Sequence, residues 1–256
     1  MLSPPRATIQ TMSKSSNLVA VIGAKGGVGA SCVAAAVARS AQTLSGRGVL
    51  VDLDTAGGGV EVLLGIESEP GARWPEMMAA FGEVDGSGLL AALPRWGPVP
   101  VLSAARQSPL LPPDEVVLDV CAGLLRNGEA VVLDVPRPAA WTPAIKALLA
   151  DASVIYLVVP AVLTAVAGAF AVASAVSALS TRRRGPVCEL VVRSVAGGAT
   201  HSGDISDLIG WPIAAVIKDD RQMAAAIEIG AGPLGGPLAR RSNLTKATTQ
   251  LARQAL

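Results

Sequence analysis

Seven short runs dominated by Val, Ile, Leu and Ala recur along the chain: LVAVIG (18–23), GVLVDLD (48–54), VPVLS (99–103), EAVVLDVP (129–136), SVIYLVVP (153–160), CELVVRSV (188–195) and PIAAVIK (212–218). A strand with one wet face alternates apolar and polar residues. Near-continuous apolar runs of this length predict strands covered on both faces, as in a parallel sheet. Helix-length segments lie between them, at Ser31–Leu44, Pro75–Phe81, Asp114–Arg126, Ala139–Ala150, Thr164–Leu179, Arg221–Glu228 and Asn243–Ala255. Such alternation requires right-handed crossovers, so the expected fold is α/β: a doubly wound, mostly parallel sheet with helices on both faces.

The 256 residues suffice for one large domain, expected over 18–256, with residues 1–17 as a flexible tail. A hydrophobic share of 51%, a charged share of 16% and a net charge of +1 exclude a disordered chain. They also give no global basic field for gripping nucleic acid. Cys32, Cys121 and Cys188 are scattered, with no CxxC pair to signal a zinc or redox motif. That usage and the absence of a secretory leader suit a reducing, cytoplasmic setting. The uncharged stretch 152–181, followed by Arg182–Arg184, is long enough for a membrane span. Pro160 divides it, however, and a buried strand, a loop and a buried helix account for both halves. The Gly- and Pro-rich segment around Trp74 and Trp96 reads as an excursion at the rim of the sheet.

The most informative stretch joins the first strand to the first helix: GAKGGVGAS, Gly23 to Ser31. Glycines at 26, 27 and 29 let the backbone turn its N–H groups inward at a helix N-terminus, which attracts phosphate. Lys25, Gly26, Gly27, Val28, Gly29, Ala30, Ser31 and Cys32 are therefore the candidate nucleotide-binding residues. Ser31 stands where a hydroxyl could join a Mg²⁺ ion. The strict G-x-x-x-x-G-K-[ST] pattern fails at Ala24 and Ala30. Carboxylates at strand C-terminal ends face the binding crevice of an open α/β sheet, which singles out Asp52 and Asp54. Arg193 and Asp151 also lie at element ends, Asp151 being read as structural. His201 has no partner at ligand spacing and is expected on the surface.

KGGVGAS resembles the deviant Walker A loop, KGGxGK[ST], of the ParA/MinD family of P-loop ATPases. The resemblance implies ATP and Mg²⁺ as cofactors and a homodimer in which Lys25 reaches the partner's nucleotide. Asp52 and Asp54 match the family's strand-end acids, the first near the magnesium and the second orienting the attacking water. Asp134, in VVLDVP, resembles the Walker B aspartate. On this basis Lys25 and Asp54 are the candidate catalytic residues and Ser31, Asp52 and Asp134 the metal site. Arg193 falls where relatives place a base-contacting residue; a surface arginine or an internal salt bridge is the other reading. The loop lysine has no match, because Ala30 holds its place.

Loss of that lysine, together with VDLDTAGGGVEVLLGIE, PGARWPEM and LLAALPRWGPVPVLS, is similar to the CpaE/TadZ-like branch and its actinobacterial septum-site-determining relatives. The resemblance implies an ATP-binding spatial regulator, a dimeric scaffold of weak or no hydrolysis recruited to a cell pole, septum or inner membrane face. Its implied partners are secretion and pilus ATPase machinery or cell-division proteins. Residues 1–17 are too few for the receiver-like domain many such relatives carry, so receiver-mediated control is not expected. The alternative is a working ATPase switch cycling on membrane or nonspecific DNA, for which Arg182–Arg184 and Arg240–Arg241 supply the basic clusters. The last helix, Asn243–Ala255, lacks aromatic anchors and is expected to pack on the domain, leaving membrane contact peripheral at most.

Overall fold

The computed structural model describes residues 17–55, 59–105, 111–179, 185–195, 200–235 and 242–256. The apolar runs become strands β1 (Leu18–Gly23), β2 (Gly48–Asp52), β4 (Val99–Leu102), β5 (Ala130–Val135), β6 (Val154–Pro160), β7 (Val187–Ser194) and β8 (Ile213–Lys218). A two-residue strand, β3 (Arg95–Trp96), joins β4 as an antiparallel hairpin. The order is β3-β4-β2-β5-β1-β6-β7-β8, and every pairing except β3–β4 is parallel. Every residue of β1, β2, β5 and β6 is buried, as strands covered on both faces must be.

One face carries α1 (Ala30–Ser45), α2 (Val60–Leu64) and α9 (Asn243–Ala255), with α8 (Arg221–Glu228) beside them through Met223. The other carries α3 (Gly86–Ala92), α4 (Asp114–Arg126), α5 (Pro143–Asp151), α6 (Leu163–Leu179) and α7 (Ser202–Ile209). The winding changes direction around β1: β2 and β4 lie to one side, β6, β7 and β8 to the other. The crevice beyond the C-terminal end of β1 is therefore where a ligand of an open sheet is expected to lie.

Helix α9 is fastened rather than free. Leu244 and Leu251 are buried, Ser40 and Thr248 share a buried hydroxyl hydrogen bond of 3.1 Å, and Tyr156 Oη donates to the Leu251 carbonyl at 2.9 Å. Its apolar face is thus spent on the domain, as expected.

Two readings of the sequence need correcting and one needs filling out. The tryptophan segment lies at the rim, where β3 is the edge strand, and its rings point inward: Trp74, opening a 3₁₀ turn over Trp74–Ala79, is fully buried in one core layer, and Trp96 is buried in the other. Their bulk closes both faces of the sheet beyond β2. Helix α6 is only half buried: Ala165, Val166, Ala169, Val172, Ala173 and Val176 make the stripe that packs on the sheet, while Leu163 and Phe170 stand exposed on its other side. The helix expected from Ala139 begins at Pro143, where Thr142 caps it by accepting from the Ile145 N–H, after a 3₁₀ turn at Pro138–Ala140. Among the described residues, no helix is long and apolar enough to cross a membrane. The basic clusters Arg182–Arg184 and Arg240–Arg241 and residues 1–16 lie outside the described residues.

Candidate nucleotide site

The loop leaves β1 at Gly23, where the Ala24 N–H donates to the Val158 carbonyl at 3.0 Å, and enters α1 at Ala30. Gly27 (φ 71°) and Gly29 (φ 84°) occupy the left-handed region, which a side chain would resist. Val28 between them is buried, its Cγ2 packed where a Cβ on Gly23 would stand 2.8 Å away. Lys25, Gly26 and Gly27 are exposed; Gly29, Ala30 and Ser31 are half-buried.

At the N-terminus of α1, Gly29 offers no side-chain cap and the first turn holds no acid. Asp85, Thr142 and Ser242 cap α3, α5 and α9, whereas α2, α4 and α7 share with α1 the lack of a side-chain cap. The first amides of α1 are thus left for another acceptor, and with the helix dipole they favour an anion. Cys32 is no nucleophile: burial pushes its thiol up to about 11, so it is neutral near pH 7.

Beneath the loop lie the strand-end acids. Asp52 and Asp134 are register partners on β2 and β5 and are 1% and 3% exposed. Asp52 is committed to the backbone: Oδ1 accepts from the Asp54 N–H at 2.9 Å and Oδ2 from the Val60 N–H at 3.1 Å. Its carbonyl accepts the Trp74 indole N–H at 2.7 Å. Asp52 thereby shapes the turn that carries Asp54, whose side chain is exposed. Asp134 is hydrogen-bonded to the Ser31 side chain.

Burial drives both carboxyls above the usual range. The neighbouring Asp52 charge adds to the rise at Asp134 and the Ser31 bond opposes it; at Asp52 the two amide bonds pull back. Among the described residues no cation pairs with either acid. Nor does any group of three or more His, Cys, Asp or Glu there make a metal site on its own. Hard oxygen donors beside a phosphate-seeking loop nevertheless fit Mg²⁺, which takes only one or two carboxylates and completes its shell with phosphate and water.

Arg193, at the end of β7, reaches the loop from outside. Its Nη1 donates to the Val28 carbonyl at 2.6 Å and its Nη2 to Asp219 Oδ1 at 2.6 Å. The site thus brings together Lys25, the loop amides, Ser31, Asp52, Asp54, Asp134 and Arg193. Sequence reasoning missed Asp219, Trp74 and the amide of Val60. Only Asp219 left a signal, as an acid directly after the last strand. His201 is exposed, with Asp204 at 3.9 Å, and plays no part here.

No protein-family model matches the chain. An uncharacterized protein of Mycobacterium tuberculosis (strain H37Rv) is 36% identical over 234 residues, 91% of this chain, and its counterpart in strain CDC 1551 matches equally. The chain spans 62% of the length of these curated relatives. Among solved structures, a ParA family ATPase from Chlorobium tepidum TLS superposes with a TM-score of 0.77 at 19% identity, over 94% of this chain and 99% of the other. The cell-division protein MinD of Aquifex aeolicus gives 0.70 at 18%, over 93% and 96%. Septum-site-determining MinD of Pyrococcus horikoshii OT3, complexed with Mg-ADP, gives 0.65 at 16%, over 92% and 94%. The chain has the fold of the ParA- and MinD-type ATPases.

Proposed function

We propose that this chain is a nucleotide-binding spatial regulator of the ParA/MinD kind, which takes up Mg·ATP, dimerises in response and hydrolyses it slowly or not at all. The observation that carries this reading is the uncapped N-terminus of α1 behind a glycine nest, set directly over a buried acid pair, with alanine where the loop cation would stand. The MinD of Pyrococcus horikoshii holds Mg-ADP on the same fold.

The amides from Gly26 to Ser31 would cradle the β- and γ-phosphates. Ser31 and Asp134 would hold Mg²⁺, with Asp52 close by and chiefly shaping the turn. The metal would draw phosphate charge and neutralise the acids. Asp54, exposed at the strand end, would orient a water. Lys25, also exposed, is free to reach a second copy's nucleotide.

Loss of one charge-assisted hydrogen bond at position 30 costs about 1.5–3 kcal/mol in the ground state, which nest and metal can bear. Loss of one preorganised stabiliser of developing charge costs about 10²–10³ in rate, so turnover suffers more than binding. Binding without turnover makes a scaffold, and we place this one with the CpaE/TadZ-like branch, serving pilus and secretion machinery or the septum.

Calorimetry with Mg·ATP and sedimentation with and without it test the reading. Saturable binding and a nucleotide-dependent dimer, abolished as a dimer by Lys25→Ala, are expected. No heat and no shift in mass at millimolar Mg·ATP would refute it. A second reading, an active ATPase switch, is favoured by the retained Asp54.

A further inference from the structure

The phosphate cradle is built of peptide groups, and each amide turned inward obliges a carbonyl to turn outward. At the top of the loop that carbonyl is Val28's, and a guanidinium holds it. Arg193 Nη1 stands 2.6 Å from the Val28 oxygen and 3.1 Å from where a Cβ on Gly29 would sit. The fork's other arm is gripped by Asp219 Oδ1 at 2.6 Å.

Both anchors of the arginine are fixed. The Arg193 carbonyl accepts the Ala161 N–H at 2.8 Å, and the Asp219 N–H donates to the Ser194 carbonyl at 3.3 Å. The guanidinium is therefore a strut from the β7–β8 end of the sheet to the crown of the loop. Val28 is held from two sides, by its side chain over Gly23 and by its carbonyl on Arg193.

The strut does mechanical and electrostatic work together. Two glycines in left-handed conformation make a loop with little intrinsic reason to stay put. A charge-assisted bond to the peptide between them fixes the plane of that peptide and aims its N–H. The fixed positive charge lies directly behind amides that must hold polyphosphate with no lysine at position 30.

We infer that Arg193 is a positioning residue for the phosphate cradle, acting on the triphosphate through the Val28–Gly29 peptide and not by reading the base. The inference rests on residues 24–31 being a phosphate-binding loop.

The test uses the full chain, with Arg193→Ala, Arg193→Lys and Asp219→Asn. Hydrogen exchange in the nucleotide-free protein is followed by mass spectrometry over peptides covering 24–33. Exchange there should rise at least tenfold in Arg193→Ala and less in Arg193→Lys and Asp219→Asn, with the β1, β5 and β6 peptides unchanged. Unchanged exchange at 24–33, or an equal rise across the sheet, would overturn the inference.

Calorimetry with Mg·ATP and with Mg·tripolyphosphate adds the second arm. Arg193→Ala should weaken both by the same factor, about tenfold, and lysine should recover part of it. A loss confined to ATP would mark a base contact and also overturn the inference. Should the wild type bind neither ligand, the nucleotide reading falls, and the exchange experiment still judges the strut.

Discussion

Asp52 and Asp134 stand side by side as register partners on adjacent parallel strands, both buried and neither paired with a cation among the described residues. Two carboxyls so placed cannot both ionise without cost. Asp52 has two backbone N–H donors to support its charge, whereas Asp134 has the Ser31 side chain. The pair is thus a site of stored electrostatic strain that a divalent cation or a nearby ammonium would relieve.

Asp134→Asn should therefore stabilise the nucleotide-free protein. A carboxyl whose proton affinity is raised on folding keeps its proton to higher pH in the folded state than in the unfolded chain. Stability then falls as pH rises above the ordinary value of 3.8 and goes on falling through neutrality. Each tenfold displacement of proton affinity is worth about 1.4 kcal/mol. The variant should gain on the order of 2 kcal/mol at pH 8, dwindling toward pH 4, and should lose the stabilisation Mg·ATP gives the wild type. Urea unfolding at several pH values measures this; a variant less stable than wild type at pH 8 would refute the strain.

On the scaffold reading proposed above, Ala30→Lys should give a faster enzyme. Ala30 opens α1 directly after the glycine loop, half-buried, so a lysine there would put its ammonium at the loop where the strict pattern carries one. Phosphate release should rise about 10²–10³-fold and Mg·ATP affinity about ten- to a hundredfold. Equal turnover in wild type and variant would favour the active-switch reading.

What the sequence made legible follows the range of the interactions. The strand–loop–helix order, the bounds of α4, α8 and α9 and the placing of Ser31 and Asp134 all depend on neighbours in the chain. Helices α2 and α3 and the hairpin strand β3 escaped because five, seven and two residues complete too few turns or alternations to declare a period, and α7 escaped although it is as long as α8. The strand-end place of Asp52 was legible, but not that its two oxygens accept the Asp54 and Val60 amides, the second eight residues on; nothing in a DxD pattern announces Val60. The Arg193–Val28 strut joins residues 165 apart in sequence, and only the folded sheet brings them together. Glycine and proline around Trp74 and Trp96 suggested a loop, while the burial of the rings is a tertiary fact.

Trp74→Phe should unsettle the acid side of the site. The indole is fully buried and its N–H is bonded to the Asp52 carbonyl at 2.7 Å. Phenylalanine removes the donor and leaves unfilled volume, which together cost about 2–4 kcal/mol. Trp211, only partly buried, provides the control: Trp211→Phe should cost less than half as much. Denaturant midpoints followed by circular dichroism would show this, and equal losses in the two variants would deny Trp74 its special role.

Gly168→Ala sets two effects of opposite sign against each other. Alanine favours an exposed helix interior by about 1 kcal/mol over glycine, which by itself would stabilise α6. A Cβ on Gly168, however, would overlap the Ala24 carbonyl oxygen and lie 3.9 Å from the Lys25 Cβ. That oxygen is backbone at the root of the loop and has no rotamer with which to yield, so the contact should outweigh the propensity. Helix α6 or the loop must move, and Mg·ATP binding should weaken about tenfold with no gain in melting temperature. Gly203 in α7, where an added Cβ meets nothing within 4 Å, is the matched comparison: Gly203→Ala should leave binding alone and raise stability by up to about 1 kcal/mol. If Gly168→Ala behaves like Gly203→Ala, α6 does not press on the loop, and the exposed apolar side of that helix has no mechanical route to Lys25.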